Sequence, residues 1–342
     1  MISFVIPAYD SAWNIERLIG SVIAQKDPSD EVVVVDDHSS DDTVMRASRF
    51  TGQGVKVVVQ EKNKGPAAAR NRGAKEAQGE FLFFLDSDTQ LERGSVAAFR
   101  RMRSEHPEIR CVNGISKSPL DRGLTAQYKA LLEYSWVAGA QNLDNRSLCF
   151  NSRVGAIERK LFFETAGFNE KYKKAEVEDY EFGHEAVRKA KIYLNKEIRV
   201  RHRFGNLKSV TKNYFHRTFL WLGLFFRRKT FDAVGGTSFG SASEYVTGAL
   251  ALGISFFSIF FPTSWLFLCG AWGIFVFCSR RFLFLAVKER GLLMAVLYLF
   301  LHLYFSLVIV ASAGFSLIYL PLSKRRAEPE LELAGIRANE EV

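Results

Sequence analysis

The residues with the clearest chemical potential are Asp86-Ser87-Asp88, which follow the apolar run Phe81–Leu85 (FLFFL). Two carboxylates two residues apart, just past a buried strand, converge on a hard cation. Oxygen ligands suit Mg2+ or Mn2+, which complete their shells with phosphate oxygens and water. A lone Asp-x-Asp also serves as a turn with Asp at helix-cap positions, so its neighbours decide its meaning. A second acidic cluster, Asp36-Asp37 followed by Asp41-Asp42, ends the apolar run Glu31–Asp36 (EVVVVD). A third holds Glu176, Glu178, Asp179 and Glu181. One of these carboxylates could take a proton from a hydroxyl, or the group could complement a helix N-terminus. The four cysteines show no paired spacing, so neither a zinc site nor a disulfide framework is indicated.

These residues need elements to position them. Ile2–Ile6, Glu31–Asp36, Val55–Gln60 and Phe81–Leu85 read as strands. Between them Asn14–Gln25, Thr43–Phe50 and Ala67–Ala77 read as helices, the first with Ile15, Leu18, Ile19, Val22 and Ile23 on one face. Repeated βα units imply a mostly parallel sheet with helices on both faces, and ligands at the carboxyl ends of its strands. Pro7–Asp10, Asp36–Asp42 and Asp86–Asp88 all fall at such ends. Further on, Ser95–Ser104, Gln127–Val137, Glu158–Ala166 and a segment starting near Glu178-Asp179 are predicted helices, with a short strand at Arg153–Ile157.

Four segments then stand in order: Val5-Ile6-Pro7-Ala8-Tyr9-Asp10, the stretch Val35 to Thr43, Asn63-Lys64-Gly65-Pro66 running to Gly73, and Gly79 to Asp88. This set resembles family 2 glycosyltransferases of the GT-A (Rossmann-like) fold. A second match lies at Val154–Ile157, Ala166–Glu170 and Glu178-Asp179. The resemblance implies an inverting, metal-dependent sugar transfer. It places Pro7, Ala8 and Tyr9 against the nucleotide base, with Asp37 bonded to the base edge and Asp36 either supporting the turn or sharing that role. Arg70 and Asn71 fall near the ribose and diphosphate, and Asp86, Ser87 and Asp88 on the donor and its Mn2+ or Mg2+. Asp179 becomes the catalytic base that accepts the acceptor proton. His202, in Arg199-Val200-Arg201-His202-Arg203, either completes the metal shell or stands among arginines that bind phosphate or lipid headgroups. A QxxRW pattern is absent, which argues against processive polymer synthesis.

The 342-residue chain carries 46 Lys and Arg against 37 Asp and Glu, a net charge of +9. Residues 1–198 hold 29 of each sign, so the whole excess lies beyond them, as do 19 of the 30 Phe, which fall after residue 203. A nucleic-acid binder would carry a basic face on its folded domain; basic and aromatic residues beside apolar runs indicate a membrane anchor. Residues 245–278 and 291–322 contain no charge. Each exceeds the ~20 residues that one crossing needs. Pro262-Thr263-Ser264 could divide the first into a hairpin whose arms, at ~15–17 residues, are short for a crossing.

The expected organisation is a catalytic domain over 1–205, an amphipathic interfacial segment over 206–244, a transmembrane region of two to four segments over 245–322, and a mobile cytoplasmic tail over 323–342. The N-terminus lacks a signal-peptide pattern, so the catalytic domain should face the cytoplasm from the plasma membrane. The expected function is transfer of a sugar from a nucleotide-diphosphate donor to a hydroxyl of a lipid or lipid-linked glycan. The alternatives are a polyprenyl-phosphate sugar transferase and a silent sugar-nucleotide-binding subunit.

Overall fold

The computed structural model describes residues 1–323 apart from Leu148, Ala175, Ala233 and Val234, and apart from the side chains of Arg146, Arg227, Arg228, Pro262 and residues 320–323. The expected tail and the basic run Lys324-Arg325-Arg326 lie outside the described residues. The chain forms two units: residues 1–206 with 232–235, and residues 207–231 with the chain from 236 onward.

The first unit is built on a nine-stranded sheet. Strands β1 (Ile2–Ala8), β2 (Glu31–Asp36), β3 (Val55–Val59) and β4 (Phe81–Leu85) are linked by helices α1 (Ile15–Ile23), α2 (Thr43–Ser48) and α3 (Pro66–Glu76). After them come β5 (Thr89–Leu91), α4 (Ser95–Glu105), β6 (Cys111–Pro119), α5 (Leu124–Ala138), β7 (Asp144–Ser147), β8 (Val154–Glu158), α6 (Arg159–Glu164), α7 (Glu178–Ala186) and β9 (Ile192–His202). The strand order is β3-β2-β1-β4-β8-β6-β9-β5, with β7 also paired to β9.

The expected parallel sheet is found at β3-β2-β1-β4. The rest is mixed: β8 is antiparallel to both β4 and β6, β5 and β7 are antiparallel to β9, and only β6–β9 is parallel. The sheet is covered on both faces, which explains why its central strands are apolar without alternation. On β4, Phe81, Phe83 and Leu85 join one core with Phe4, Ile6, Leu18, Val34 and Phe99, whereas Leu82 and Phe84 join the other with Val5, Phe150, Phe162, Phe168 and Phe182. The Phe84 ring lies 5.4 to 6.0 Å from Phe168, Phe162 and Phe150.

Helix α3 lies directly on the sheet. A Cβ on Gly73 would come within 2.3 Å of Val5 Cγ1 and 3.3 Å of Val35 Cγ2. The poly-alanine start of α3 (Ala67, Ala68, Ala69) is buried for the same reason.

The second unit is helical: α8 (Leu207–Arg228), α9 (Phe239–Phe260), a 3-10 turn at Pro262–Ser264, α10 (Trp265–Arg290) and α11 (Leu292–Ser323). The break at Pro262 is as expected. The arms on either side are 22 and 26 residues long, longer than anticipated, because α9 begins at Phe239 and α10 runs on through Arg280 and Arg281. Ser238 caps α9, accepting from Ser241 N. Phe275 packs with Ala251 and Leu303, and Gly248 lets Ser306 approach, since a Cβ there would lie 2.9 Å from the serine hydroxyl. Close approach at small residues is how apolar helices associate when no water drives them together. Helix α8 packs along α11 through Tyr214–Phe305 and Phe219–Phe315, and Ser312 donates to the Phe215 carbonyl at 2.6 Å. Among the described residues three helices, α9, α10 and Leu292–Tyr319 of α11, are long and apolar enough to cross a membrane.

Replacing Gly73 by Ala should force α3 off the sheet. The expected cost is about 1–3 kcal/mol, typical of overpacking. It should appear as a lower midpoint in denaturant unfolding of the detergent-solubilised chain; an unchanged midpoint would refute this account of the helix–sheet contact.

Candidate active site

The carboxyl ends of β2, β1 and β4 lie side by side, and the site is assembled along them. Pro7 and Ala8 are buried as the last residues of β1, while Tyr9 projects with half its surface exposed. The β1 and β2 ends are tied together. Asp37 N donates to Ala8 O at 2.8 Å, Asp10 N donates to Ser39 Oγ at 3.0 Å, and Ser40 N donates to Asp10 Oδ1 at 2.8 Å. Asp10 and His38 both adopt positive φ, 45° and 66°, an uncommon conformation for such residues that these bonds hold in place.

Asp36 accepts from the amide and hydroxyl of Ser39, which is the turn-supporting role. Asp37 is buried and accepts three bonds: from Gln60 Nε2 at 2.6 Å, Lys64 N at 2.7 Å and Gly65 N at 2.7 Å. Its carboxylate therefore shapes the loop into α3, with limited capacity left for a base edge. Gly65 in that loop has φ +92°, and a Cβ there would lie 2.8 Å from the Lys173 carbonyl.

Arg70 is the centre of the site. Its side chain is 3 % exposed, and it donates from Nη2 to Asp86 Oδ1 at 2.7 Å and from Nη1 to Glu178 Oε1 at 3.0 Å. Burial alone would favour losing the guanidinium proton. The two carboxylates outweigh it and raise its pKa, so it stays charged. Its guanidinium also lies over the Phe168 ring at 5.4 Å. Asn71 beside it bonds Phe168 O, Phe168 N and Glu170 Oε1. Arg70 and Asn71 are the two residues that the family resemblance sets near the ribose and diphosphate. Both are buried, and their bonds go to protein partners, holding the 168–178 segment against the Asp86 turn.

Ser87 Oγ pairs with Ser11 Oγ at 2.7 Å, and Asn14 Nδ2 donates to Ser87 O at 2.9 Å, so the turn is tied to the start of α1. The antiparallel register of β5 with β9 sets Thr89 opposite His202. Consequently Asp88 Oδ2 lies 3.2 Å from His202 Nε2. Asp88 Oδ1 and His202 Nδ1 are buried without a hydrogen-bond partner. Burial opposes the Asp88 charge, but His202 and Arg153 prevail and hold its carboxyl below the usual range.

An orphaned carboxylate oxygen beside an imidazole fits a divalent cation. Among the described residues no three His, Cys, Asp or Glu side chains converge as a ready-made metal cluster. Asp88 and His202 would therefore supply part of a shell, with water and phosphate oxygens filling the rest, the habit of Mg2+ and similar ions. Asp86 is close in sequence, but its Oδ1 is occupied by Arg70.

Sequence reasoning missed one network. Arg153 at the start of β8 bonds Glu133 Oε2 at 2.8 Å, and Lys129 Nζ bonds Glu133 Oε1 at 2.8 Å. Burial works against the charge on Glu133, yet Lys129 and Arg153 hold its carboxyl far below the ordinary range. The spacing of Lys129 and Glu133 on α5 could have indicated a helical ion pair. Nothing in the sequence linked that pair to Arg153.

Asp179 stands half-buried in the first turn of α7, next to Glu178. The Glu178–Arg70–Asp86 bridge is what ties its helix to the Asp86–Asp88 turn.

Comparison with known proteins bears on this arrangement. The family model described as "Glycosyl transferase family 2" matches residues 3–165. The N-terminal region of this chain belongs to glycosyl transferase family 2. A succinoglycan biosynthesis protein, ExoO, of Rhizobium meliloti is 41 % identical over 87 residues, 25 % of either chain. A UDP-Glc:alpha-D-GlcNAc-diphosphoundecaprenol beta-1,3-glucosyltransferase, WfgD, of Escherichia coli is 39 % identical over 88 residues, 26 % of this chain and 35 % of that protein. The chain thus spans a quarter to about a third of the length of these two curated relatives. Among solved structures, the mannosyltransferase PcManGT of Pyrobaculum calidifontis, in complex with GDP-Man and Mn2+, aligns over 92 % of this chain and 86 % of its own at 18 % identity, TM-score 0.54. Residues 1–349 of Staphylococcus aureus TarS align over 64 % and 63 % at 23 % identity, TM-score 0.51. At these identities the structures establish the family's GT-A fold and not its substrates.

Arg70→Ala should cost about 3–5 kcal/mol, the usual result of removing one partner from a buried ion pair. Adding Glu178→Gln should recover part of that loss by removing the stranded charge. Denaturant unfolding of both variants tests this; a double variant no more stable than Arg70→Ala would contradict the bridge.

Proposed function

We propose that this chain is an inverting glycosyltransferase that moves a sugar from a nucleoside-diphosphate donor to a hydroxyl of a lipid or lipid-linked glycan at a membrane. The observation that carries the reading is the Arg70 bridge, which brings the segment bearing Asp179 together with the Asp86–Asp88 turn in a family 2 fold. Asp179 takes the proton of the acceptor hydroxyl as that oxygen attacks the anomeric carbon opposite the leaving group. Tyr9, exposed beyond buried Pro7 and Ala8, offers a ring to the donor base, and Asp37 keeps the neighbouring loop in shape. Asp88 and His202 hold a divalent cation, Mn2+ or Mg2+, which when bound neutralises charge on the departing diphosphate. The Mn2+ named with PcManGT supports that choice.

Acceptor and location follow from the second unit. Three apolar helices of 22 or more residues suit a membrane-integral protein. Three crossings would put Lys288 and Arg290 on the same side as the start of α9, consistent with a cytoplasmic catalytic unit at the plasma membrane. Helix α8, with its mixture of basic and aromatic residues, fits the bilayer interface. The diphosphoundecaprenol-linked acceptor in the name of the Escherichia coli relative supports an acceptor of this kind.

Purified full-length protein with Mn2+ or Mg2+ and a panel of nucleotide sugars should release nucleoside diphosphate when a lipid-linked acceptor is supplied. Asp88→Ala and Asp179→Asn should each lower turnover at least ~100-fold, roughly the weight of a general base or an electrostatic stabiliser. Full turnover in both variants would overturn the site assignment. A retained rate in Asp179→Asn alone would favour a phosphate acceptor, which needs little base assistance.

A further inference from the structure

Helix α7 carries the proposed base and is only nine residues long. A helix this short has little stability of its own, so tertiary contacts must set its position. Two such contacts come from within residues 1–206. Glu178 is bonded to Arg70, and Gly183 lies so close to the 149–150 backbone that a Cβ would come within 2.4 Å of Phe150 N. A third comes from far along the chain. Asp232 packs as part of the first unit, although Phe231 before it and Gly236 a few residues on belong to the helical unit. Asp232 is buried there, and its Oδ1 lies 3.2 Å from Nε2 of His184, on α7 five residues after Asp179.

At about 100° per residue, positions 183 and 184 lie about 140° and 240° around the axis from position 178. The three contacts therefore grip α7 from three sides, with Asp179 between the first two. We infer that Asp232 and His184 are positioning residues that seat α7 so that Asp179 meets the acceptor hydroxyl. The inference rests on the reading of Asp179 as the base. A buried carboxylate needs partners, and His184 supplies one of them. Misplacement of a reacting group by about 1 Å can cost a hundredfold in rate. The connection between α8 and α9 thereby places a buried carboxylate, Asp232, against α7 of the first unit.

The full-length chain in detergent allows two independent measurements. First, amide hydrogen exchange without any substrate: Asp232→Ala should accelerate exchange over residues 180–187 about tenfold and leave α3 unchanged. Second, steady-state transfer: Asp232→Ala should lower kcat about tenfold while the donor KM stays within about twofold, because the donor side is untouched. Asp232→Asn should keep at least about half of kcat, since an amide can still hydrogen-bond the His184 ring as donor or acceptor. His184→Ala should reproduce both effects of Asp232→Ala, and combining the two should add little. Unchanged exchange in α7 would overturn the inference whatever the activity. So would faster exchange with an unchanged kcat, or a donor KM that rises as kcat falls. Wild-type protein that transfers no sugar would refute the proposed function separately, because the exchange experiment needs none.

Discussion

One buried guanidinium organises the first unit. Arg70 reaches from α3, on one side of the sheet, to the carboxylate that ends β4 and to a second carboxylate about a hundred residues later. Desolvating an arginine costs several kcal/mol, and the expense is offset only when hydrogen bonds and counter-charges are well aimed. Both conditions constrain the backbone. Asp86 must sit at the strand end, Glu178 must sit at the start of α7, and α3 must lie flat on β1 and β2, which Gly73 permits. A buried pair of this kind is weak as a source of stability. Its value lies in geometry, since few arrangements of three chain segments satisfy all three charges at once.

The mixed sheet serves the same end by another route. Its parallel half places three loops along one edge, as any βαβ series does. The antiparallel half then sends later segments back to that edge. Strand β8 returns beside β4, so Arg153 O accepts from Asp86 N, and β9 pairs with β5, so His202 arrives beside Asp88. Residues 67 and 114 positions apart in the chain thus meet at one edge of the sheet. The five-phenylalanine cluster of Phe84, Phe150, Phe162, Phe168 and Phe182 fills the space beneath, and two of its members flank the segments that carry Asn71's partners and Asp179.

The parallel strands and their helices are legible in the sequence because each is an uninterrupted apolar run or a one-faced helix with clear breaks. The acidic ends are legible too. The short strand β5 and the bulged strand β6, with its register shifts, carry no such pattern, so of this mixed half only β8 is legible, as the strand expected at Arg153–Ile157. Spacing and family likeness place Arg70 and Asn71 near the site, but composition cannot say which way a side chain faces. In the fold both are buried and bonded to carboxylates and main chain. The Glu133–Arg153 contact is invisible for a related reason: its members lie 20 residues apart on different elements, joined by topology and not by periodicity. In the apolar region the proline break is plain. Helix α10 nevertheless continues past Arg280 and Arg281, whose long side chains can lie along a helix without ending it; Arg280 bonds the Phe277 carbonyl and lies 4.1 Å from its ring.

The distribution of charge in the site bears on how it would treat a diphosphate. The catalytic unit's sequence is balanced through residue 198, and the buried cations around Asp86 and Asp88 are committed to carboxylates: Arg70 to Asp86 and Glu178, Arg153 and Lys129 to Glu133. A nucleoside diphosphate entering this neighbourhood would meet ion pairs already matched in charge, beside the buried, unbonded Oδ1 of Asp88. Two negatively charged groups cannot approach in a partly desolvated site without a cation between them. Of the positive excess of the whole chain, Arg199, Arg201 and Arg203 lie on or just after β9 around His202, and the rest falls in later residues. A diphosphate reaching this edge would meet compensating charge from those arginines or from a divalent ion, for which Asp88 and His202 offer oxygen and nitrogen ligands.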